Sequence, residues 1–145
     1  MTEPDESRPT LMPIIAALAI VGVALAAVFV MRLFRGDEQP DTEQVARAAV
    51  GQNDALQRED YADFREFTCA PQQGAETQVL NDQRESKTSK GARYVDDVTA
   101  VAVNGERATA TVVYHFEKKS DDKVRAPMTF IRENGGWKVC SPGPR

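Results

Sequence analysis

The sequence predicts an α+β fold: an N-terminal transmembrane helix, then a domain of about three helices on a curved four-stranded antiparallel sheet. Three observations support this. Residues 11–31 form an unbroken apolar run, residues 45–68 carry apolar side chains at helical spacing, and the segment after Gly91 changes to alternating strand-like runs. Because helices come first and strands follow, the helices are expected to cover one face of the sheet.

The apolar run from Leu11 to Met31 contains no charged residue. As a helix it would be roughly 32 Å long, which matches the ~30 Å hydrocarbon core of a bilayer. A cleaved signal peptide is the alternative, because Ala24-Leu25-Ala26 resembles a cleavage site, but the apolar run continues beyond it and the preceding tail is acidic. The predicted organisation is a cytoplasmic tail (1–10), a transmembrane helix (11–34), a linker (35–41) and an extracytoplasmic domain (42–145).

The orientation of the helix is open to two interpretations. Arg32 and Arg35 on its C-terminal flank favour a cytoplasmic domain by the positive-inside rule, whereas a cysteine pair favours an oxidising compartment. We expect the domain to lie outside the plasma membrane. Gly22 and Ala26 have the small-xxx-small spacing that lets two membrane helices approach closely, so a homodimer is one expected partnership.

The first part of the soluble domain has helical periodicity. Asp41 or Thr42 is expected to cap a helix whose buried stripe comprises Val45, Ala48, Ala49, Gln52 and Leu56. A second short helix would carry Tyr61 and Phe64 and end before Pro71. The polar segment 72–90 is either a third helix or a long surface connection.

Four strands are predicted after Gly91. The first is 94–103, and Asn104-Gly105 is a strong signal for a two-residue hairpin. In the second, 107–116, alternate residues share one face: Ala108, Ala110, Val112, Tyr114 and Phe116. Residues 118–123 are expected to form a charged loop, followed by a strand at 124–132, a turn at 134–136 and a final strand at 137–140.

Cys69 and Cys140 are the two cysteines of the chain. They are too few for a zinc site, and the single His115 does not complete a metal set. We predict a disulfide that links the helical layer to the end of the sheet; two buried thiols in a cytoplasmic domain are the alternative. The formal net charge is −4, and the lack of a basic stripe argues against nucleic-acid binding. No cofactor or metal is predicted.

Three segments resemble a known family. They are the run 45–71, the hairpin 101–112 and the ending Gly135-Gly136-Trp137-Lys138-Val139-Cys140. In this order they resemble nuclear transport factor 2-like domains, which have the cystatin-like superfold, and in particular small membrane-anchored versions common in actinobacteria. The resemblance implies a cone formed by a bent sheet over helices, with the domain outside the membrane. It includes accessory proteins of Mce-type lipid transporters, lumazine-binding-like proteins and components of conjugative secretion systems, so it implies no single function.

Enzymes with this superfold usually place an Asp, His or Tyr in the mouth of the cone. The corresponding residues here are His115, Tyr114, Asp96 and Asp97, but no spacing among them fixes an acid and a base together. The chain is therefore predicted not to be an enzyme. Six side chains are candidates for lining the cone mouth or a ligand: Tyr61, Phe64, Tyr114, His115, Met128 and Trp137.

The predicted function is that of a membrane-tethered interaction or accessory module in a cell-envelope complex, whose partners are the lipid bilayer and an envelope protein. The alternative is an extracytoplasmic domain that binds a small apolar ligand or a lipid. A ligand domain would contain a cavity of several hundred Å³, as ligand sites usually do. An interaction module would have a filled interior and an exposed apolar patch.

Overall fold

The computed structural model describes Ala26, Ala27, Val30 and residues 40–144. The chain divides into two compact units, Met1–Glu38 and Gln39–Arg145. In the first unit, the three described residues are helical. Gly22 and most of the predicted 11–34 helix lie outside the described residues, as do residues 35–39 of the predicted linker. Among the helical residues that are described, none belongs to a helix with the length and apolar character needed to cross a membrane.

The second unit begins with its helices, which are α1 (Asp41–Gln57), α2 (Tyr61–Glu66) and α3 (Glu76–Lys90), with a short 3-10 turn at Ala70–Gln72. The segment 72–90 is therefore mostly helix, not a connection. The capping prediction is wrong, because the residue before α1 is Pro40 and no side chain caps the helix. Asp41 is the first helical residue, and its carboxylate accepts hydrogen bonds from side chains of the sheet.

Helix α1 buries one face against the sheet. Val45, Ala48, Ala49 and Gln52 are buried, as the predicted stripe requires. At the end of the stripe Ala55 is fully buried, whereas Leu56 is half-buried. The alanines have short side chains, which lets the α1 backbone lie close to the strands beneath it.

The strands form one antiparallel meander in the order β1 (Arg93–Asn104), β2 (Arg107–Phe116), β3 (Lys119–Glu133) and β4 (Gly136–Val139). Consecutive strands are neighbours, so the predicted four-stranded antiparallel sheet is confirmed. Together with the three helices, of which α1 packs on the sheet while α2 and α3 pack against α1 and each other, this establishes the α+β class for residues 40–144.

Two connections differ from their predictions. The first hairpin loop is Gly105-Glu106, because Asn104 pairs with Arg107. Gly105 has a φ of 60°, and a glycine with positive φ at the first central position is the pattern of a type II′ turn. The predicted charged loop 118–123 is wrong, because β3 already begins at Lys119, which pairs with Phe116. The first residues of β3 are exposed, so their charges remain hydrated within a strand.

The inner face of β2 carries the core. Ala108, Ala110, Val112, Tyr114 and Phe116 are all buried, which confirms the predicted alternation. Their neighbours on β3 and β4 complete the cluster: Met128, Phe130, Trp137 and Val139.

Strand β1, at one edge of the sheet, is irregular. Its pairing with β2 shifts between Val95 and Asp97 and again between Thr99 and Ala102. Ala100, inside the second irregularity, has a φ of 52°. Bulges of this kind twist an edge strand and disfavour pairing with another chain.

Candidate functional site

The predicted disulfide is present and joins the helical layer to the end of β4. Cys69 and Cys140 have Cα atoms 5.2 Å apart. Beside them, Cys69 N–H donates to Val139 O at 2.9 Å and Val139 N–H donates to Phe67 O at 2.8 Å. The covalent link and this pair of hydrogen bonds hold the segment after α2 against the last strand.

Three of the predicted cone-mouth residues belong to the filled interior. Tyr114, Met128 and Trp137 have exposed fractions of 2%, 1% and 4%. The Tyr114 hydroxyl donates to Met128 Sδ at 3.1 Å. Burial raises the pKa of Tyr114, and the neighbouring charge of Arg93 opposes this. These three side chains therefore pack the domain and leave little room between them.

Of the other three residues, only Phe64 lines a cavity. Tyr61 lies nearer the surface, where its hydroxyl donates to Gly74 O at 2.6 Å. His115 is on the outer face of the sheet. Of the six predicted residues, three are therefore in the core, two are at or near the surface and one lines a cavity. The core residues are Tyr114, Met128 and Trp137, the surface residues are Tyr61 and His115, and the cavity residue is Phe64.

The cavity lies where the helices meet the start of β1, and its volume is about 120 Å³. Leu56, Phe64 and Val79 supply apolar walls, while polar side chains and the backbone after Cys140 supply the rest. The further lining residues are Gln52, Gln72, Asp82, Gln83, Ser86, Arg93, Ser141, Pro142 and Gly143. A second depression of about 300 Å³ is lined by residues of α3 alone, so it is an open surface groove.

Arg93 places a positive charge in the wall of the cavity, although its side chain is almost completely buried. Its Nε donates to Asn53 Oδ1 at 2.7 Å, and its Nη1 donates to Pro144 O. The guanidinium carbon lies 5.3 Å from the centre of the Tyr114 ring. Burial lowers the pKa of Arg93, but a guanidinium remains protonated in proteins. Local sequence patterns do not predict a role for this residue, because a single arginine at the start of a strand is usually exposed.

A second cluster lies on the outer face of the sheet, at the first β1 irregularity. His115 Nδ1 and Asp96 Oδ1 share a hydrogen bond of 2.7 Å, and Lys123 Nζ lies 2.9 Å from Asp96 Oδ2. Tyr94 stacks on the His115 ring with centroids 5.0 Å apart. The structure therefore brings His115 and Asp96 together, a pairing that their spacing did not predict.

The other two candidates for acid–base chemistry are not in this cluster. Tyr114 points to the opposite face of the sheet. Asp97 is on the outer face opposite Val113, and its carboxylate accepts the Val98 N–H at 2.8 Å. Among the described residues no group of three His, Cys, Asp or Glu side chains could hold a metal ion.

The pKa of Asp96 is lowered by the hydrogen bond from Lys123, with further contributions from His115, while desolvation opposes them. Because its folded pKa lies below the unfolded value near 3.8, Asp96 stabilises the fold at neutral pH. That contribution is lost as the pH falls from about 4 through the folded pKa. We therefore expect Asp96→Asn to lower the urea midpoint at pH 7 and to match the wild type well below the folded pKa. A midpoint difference independent of pH would contradict this.

A third cluster explains why Asp41 does not cap α1. Asp41 Oδ1 accepts hydrogen bonds from Trp137 Nε1, at 3.0 Å, and from Arg132 Nη2. The Arg132 guanidinium also lies over the Trp137 ring, 4.8 Å from its centre. The hydrogen bond from Trp137, followed by the contacts of Arg132, lowers the pKa of Asp41. This cluster ties the first turn of α1 to the last hairpin of the sheet.

Solved structures that are similar to this chain include two NTF2-like proteins. No family model and no curated protein matches it. A candidate dehydratase of the NTF2-like family from Streptomyces avermitilis is 21% identical, with a TM-score of 0.48 over 68% of this chain and 90% of that one. A candidate NTF2-like transpeptidase from Campylobacter jejuni is 15% identical, with a TM-score of 0.47 over 65% of this chain and 94% of that one.

Proposed function

We propose that this chain is a non-enzymatic interaction or accessory module of a cell-envelope complex. It is tethered by residues 11–34 to the plasma membrane, and its folded domain lies on the extracytoplasmic side. The filled interior carries this proposal. Tyr114, Met128, Phe130 and Trp137 occupy the space between helices and sheet, and the cavity beside them has a volume of about 120 Å³. Ligand pockets are usually about 300–1,000 Å³, so an apolar ligand or lipid is the weaker alternative.

Membership of the nuclear transport factor 2-like family is part of the proposal. Its support is that each resembling segment has a structural role here. The run 45–71 contains most of α1, all of α2 and the disulfide residue Cys69, 101–112 contains the first hairpin, and 135–140 contains the last turn, Trp137 and Cys140. Association with a transport complex of the Mce type would follow from this membership.

The disulfide supports the proposed compartment. Disulfides persist in oxidising surroundings outside the cytoplasm and are rare within it. Cys69 is fully buried, so the bond is also shielded from reductants. With the apolar segment in front of it, a disulfide-linked domain fits a protein held on the outer side of a membrane.

The proposed docking surface is the threonine face, which we define as Ala102, Thr109, Thr129, Thr99, Thr111 and Pro127 on the outer side of β1–β3. Thr109 pairs with both Ala102 and Thr129, and Thr111 pairs with both Thr99 and Pro127, so the residues form two rows across the sheet. All six are uncharged and small, which permits close approach of a partner. The predicted apolar patch is not found among residues 40–144: their exposed large apolar side chains are Val50, Tyr94 and Val103, which are scattered.

The non-enzymatic part of the proposal draws on the position of the most reactive pair. His115 and Asp96 lie on the outer face and line neither the cavity beside Arg93 nor the groove on α3. Acid–base catalysis needs a substrate held within hydrogen-bonding reach of such a pair. An exposed His–Asp–Lys cluster beside the threonine face is better suited to orienting a protein partner.

The test is photo-crosslinking from the threonine face in intact cells. A photoreactive p-benzoylphenylalanine at Thr109 is expected to give a discrete adduct with one envelope protein. The matched control places the same amino acid at Thr77, which is exposed on α3. Both variants are made in the full chain, and the membrane fraction is analysed by mass spectrometry.

Three results would contradict the proposal. One is the absence of a protein adduct from Thr109, and another is an equal adduct from Thr77. The third is recovery of the full chain in the soluble fraction. Deletion of residues 11–31 is expected to release the chain from the membrane and to abolish the adduct.

A further inference from the structure

We propose that the cavity beside Arg93 binds a small organic monoanion, a short-chain monocarboxylate, through the Arg93 guanidinium and the Gln83 amide. This is a property of the interior of the domain. It is independent of whether the threonine face binds a protein.

The first argument is the charge of Arg93. Its exposed fraction is 7%, yet its hydrogen bonds go to neutral oxygens of Asn53 and Pro144. Among residues 40–144 no carboxylate forms an ion pair with it, and two of its five N–H groups are used. A buried charge is normally paired, and a guanidinium binds a carboxylate through two parallel hydrogen bonds. The wall of the cavity therefore offers guanidinium donors that no carboxylate among residues 40–144 engages directly.

The second argument is the amide of Gln83. This residue is also 7% exposed, and it lines the same cavity from α3. Its side chain has no hydrogen-bond partner within the part of the chain that the structure describes. Its amide atoms keep some contact with solvent, because Arg132 Nε is the fully buried side-chain atom without a partner in the described part of the chain. The NH₂ group of Gln83 is thus available to donate to an oxygen of an acid held by Arg93.

The size of the cavity limits the acid. A volume of about 120 Å³ is well below the ~300 Å³ at which ligand pockets usually begin. Leu56, Phe64 and Val79 form the apolar part of the wall, which suits a short hydrocarbon chain. These dimensions suit a short acid such as butyrate better than a long-chain fatty acid.

The charge of the rim favours a monoanion. Asp82 also lines the cavity, and its carboxylate accepts a hydrogen bond from Gln78 Nε2 at 3.0 Å. Its negative charge would repel an anion of higher charge more strongly. Inorganic phosphate is therefore expected to bind less well than a monocarboxylate.

The test is calorimetric titration of the full chain in detergent with butyrate, with neutral butyramide as the matched ligand and phosphate as the competing anion. We expect saturable binding of butyrate and at least tenfold weaker binding of butyramide and phosphate. Absence of saturable butyrate binding would overturn the proposal. Equal binding of butyramide, or tighter binding of phosphate, would overturn it as well.

Three variants locate the site. Arg93→Lys keeps the charge but loses the forked donor, and Gln83→Leu removes the amide at similar size; each is expected to weaken butyrate binding at least tenfold. Because Arg93 also packs on Tyr114 and its variant could fail to fold, Gln83→Leu carries the test by itself. Asn81→Leu, on the exposed face of α3, is the control and is expected to bind butyrate as the wild type does. Unchanged binding by Gln83→Leu would place the acid elsewhere and refute the assignment.

Discussion

Removing the disulfide by Cys140→Ser is expected to lower the free energy of unfolding by about 4 kcal/mol. The bond joins residues 71 positions apart, and a loop of that length restricts the unfolded chain strongly in the chain-entropy account. A small domain has a total stability of only ~5–10 kcal/mol, so the variant should be close to unfolding at 37 °C. The measurement is urea denaturation under non-reducing conditions, followed by circular dichroism.

Reduction of the wild-type protein is the control for this experiment. A serine at position 140 changes packing as well as the crosslink, whereas reduction leaves both sulfur atoms in place. The reduced wild type and Cys140→Ser should have similar urea midpoints, both well below that of the oxidised protein. Equal midpoints for the oxidised protein and the variant would show that the bond does not stabilise the domain.

Replacing Tyr114 with alanine is expected to cost about 3–5 kcal/mol, because truncating a buried aromatic side chain leaves a cavity. Tyr114 is 2% exposed and packs in the cluster with Met128 and Phe130. The Arg93 guanidinium carbon lies 5.3 Å from the centre of its ring. The stability of Tyr114→Ala, measured by urea denaturation, tests whether the space between helices and sheet is filled.

The matched control is Tyr114→Phe. It keeps the ring and removes the hydroxyl that donates to Met128 Sδ, so a loss of about 1 kcal/mol is expected. A loss below 1 kcal/mol for Tyr114→Ala would mean that the interior has room for a ligand after all. That result would favour the apolar-ligand alternative over a surface-binding module.

The features that the sequence determined by itself are local or covalent. The period of Val45, Ala48, Ala49 and Gln52 defined the buried face of α1, since side chains three and four apart share a helix face. The alternation from Ala108 to Phe116 defined the inner face of β2 for the same kind of reason. The cysteine pair predicted the disulfide because two thiols in a small domain with an apolar leader have few other roles.

The tertiary structure alone decided which distant side chains meet. Asp41 was expected to cap its own helix, but Trp137 and Arg132 lie 96 and 91 positions away and bind its carboxylate instead. The bulge in β1 brings Asp96 to His115, and the packing of α3 against α1 and α2 brings Gln83 to the cavity that Arg93 also lines. A local pattern cannot predict such contacts, because they depend on how the helices cross the sheet and on where the strand register shifts. The candidate sites of this protein therefore depend on tertiary packing, whereas the helices and strands that carry them follow from local periodicity.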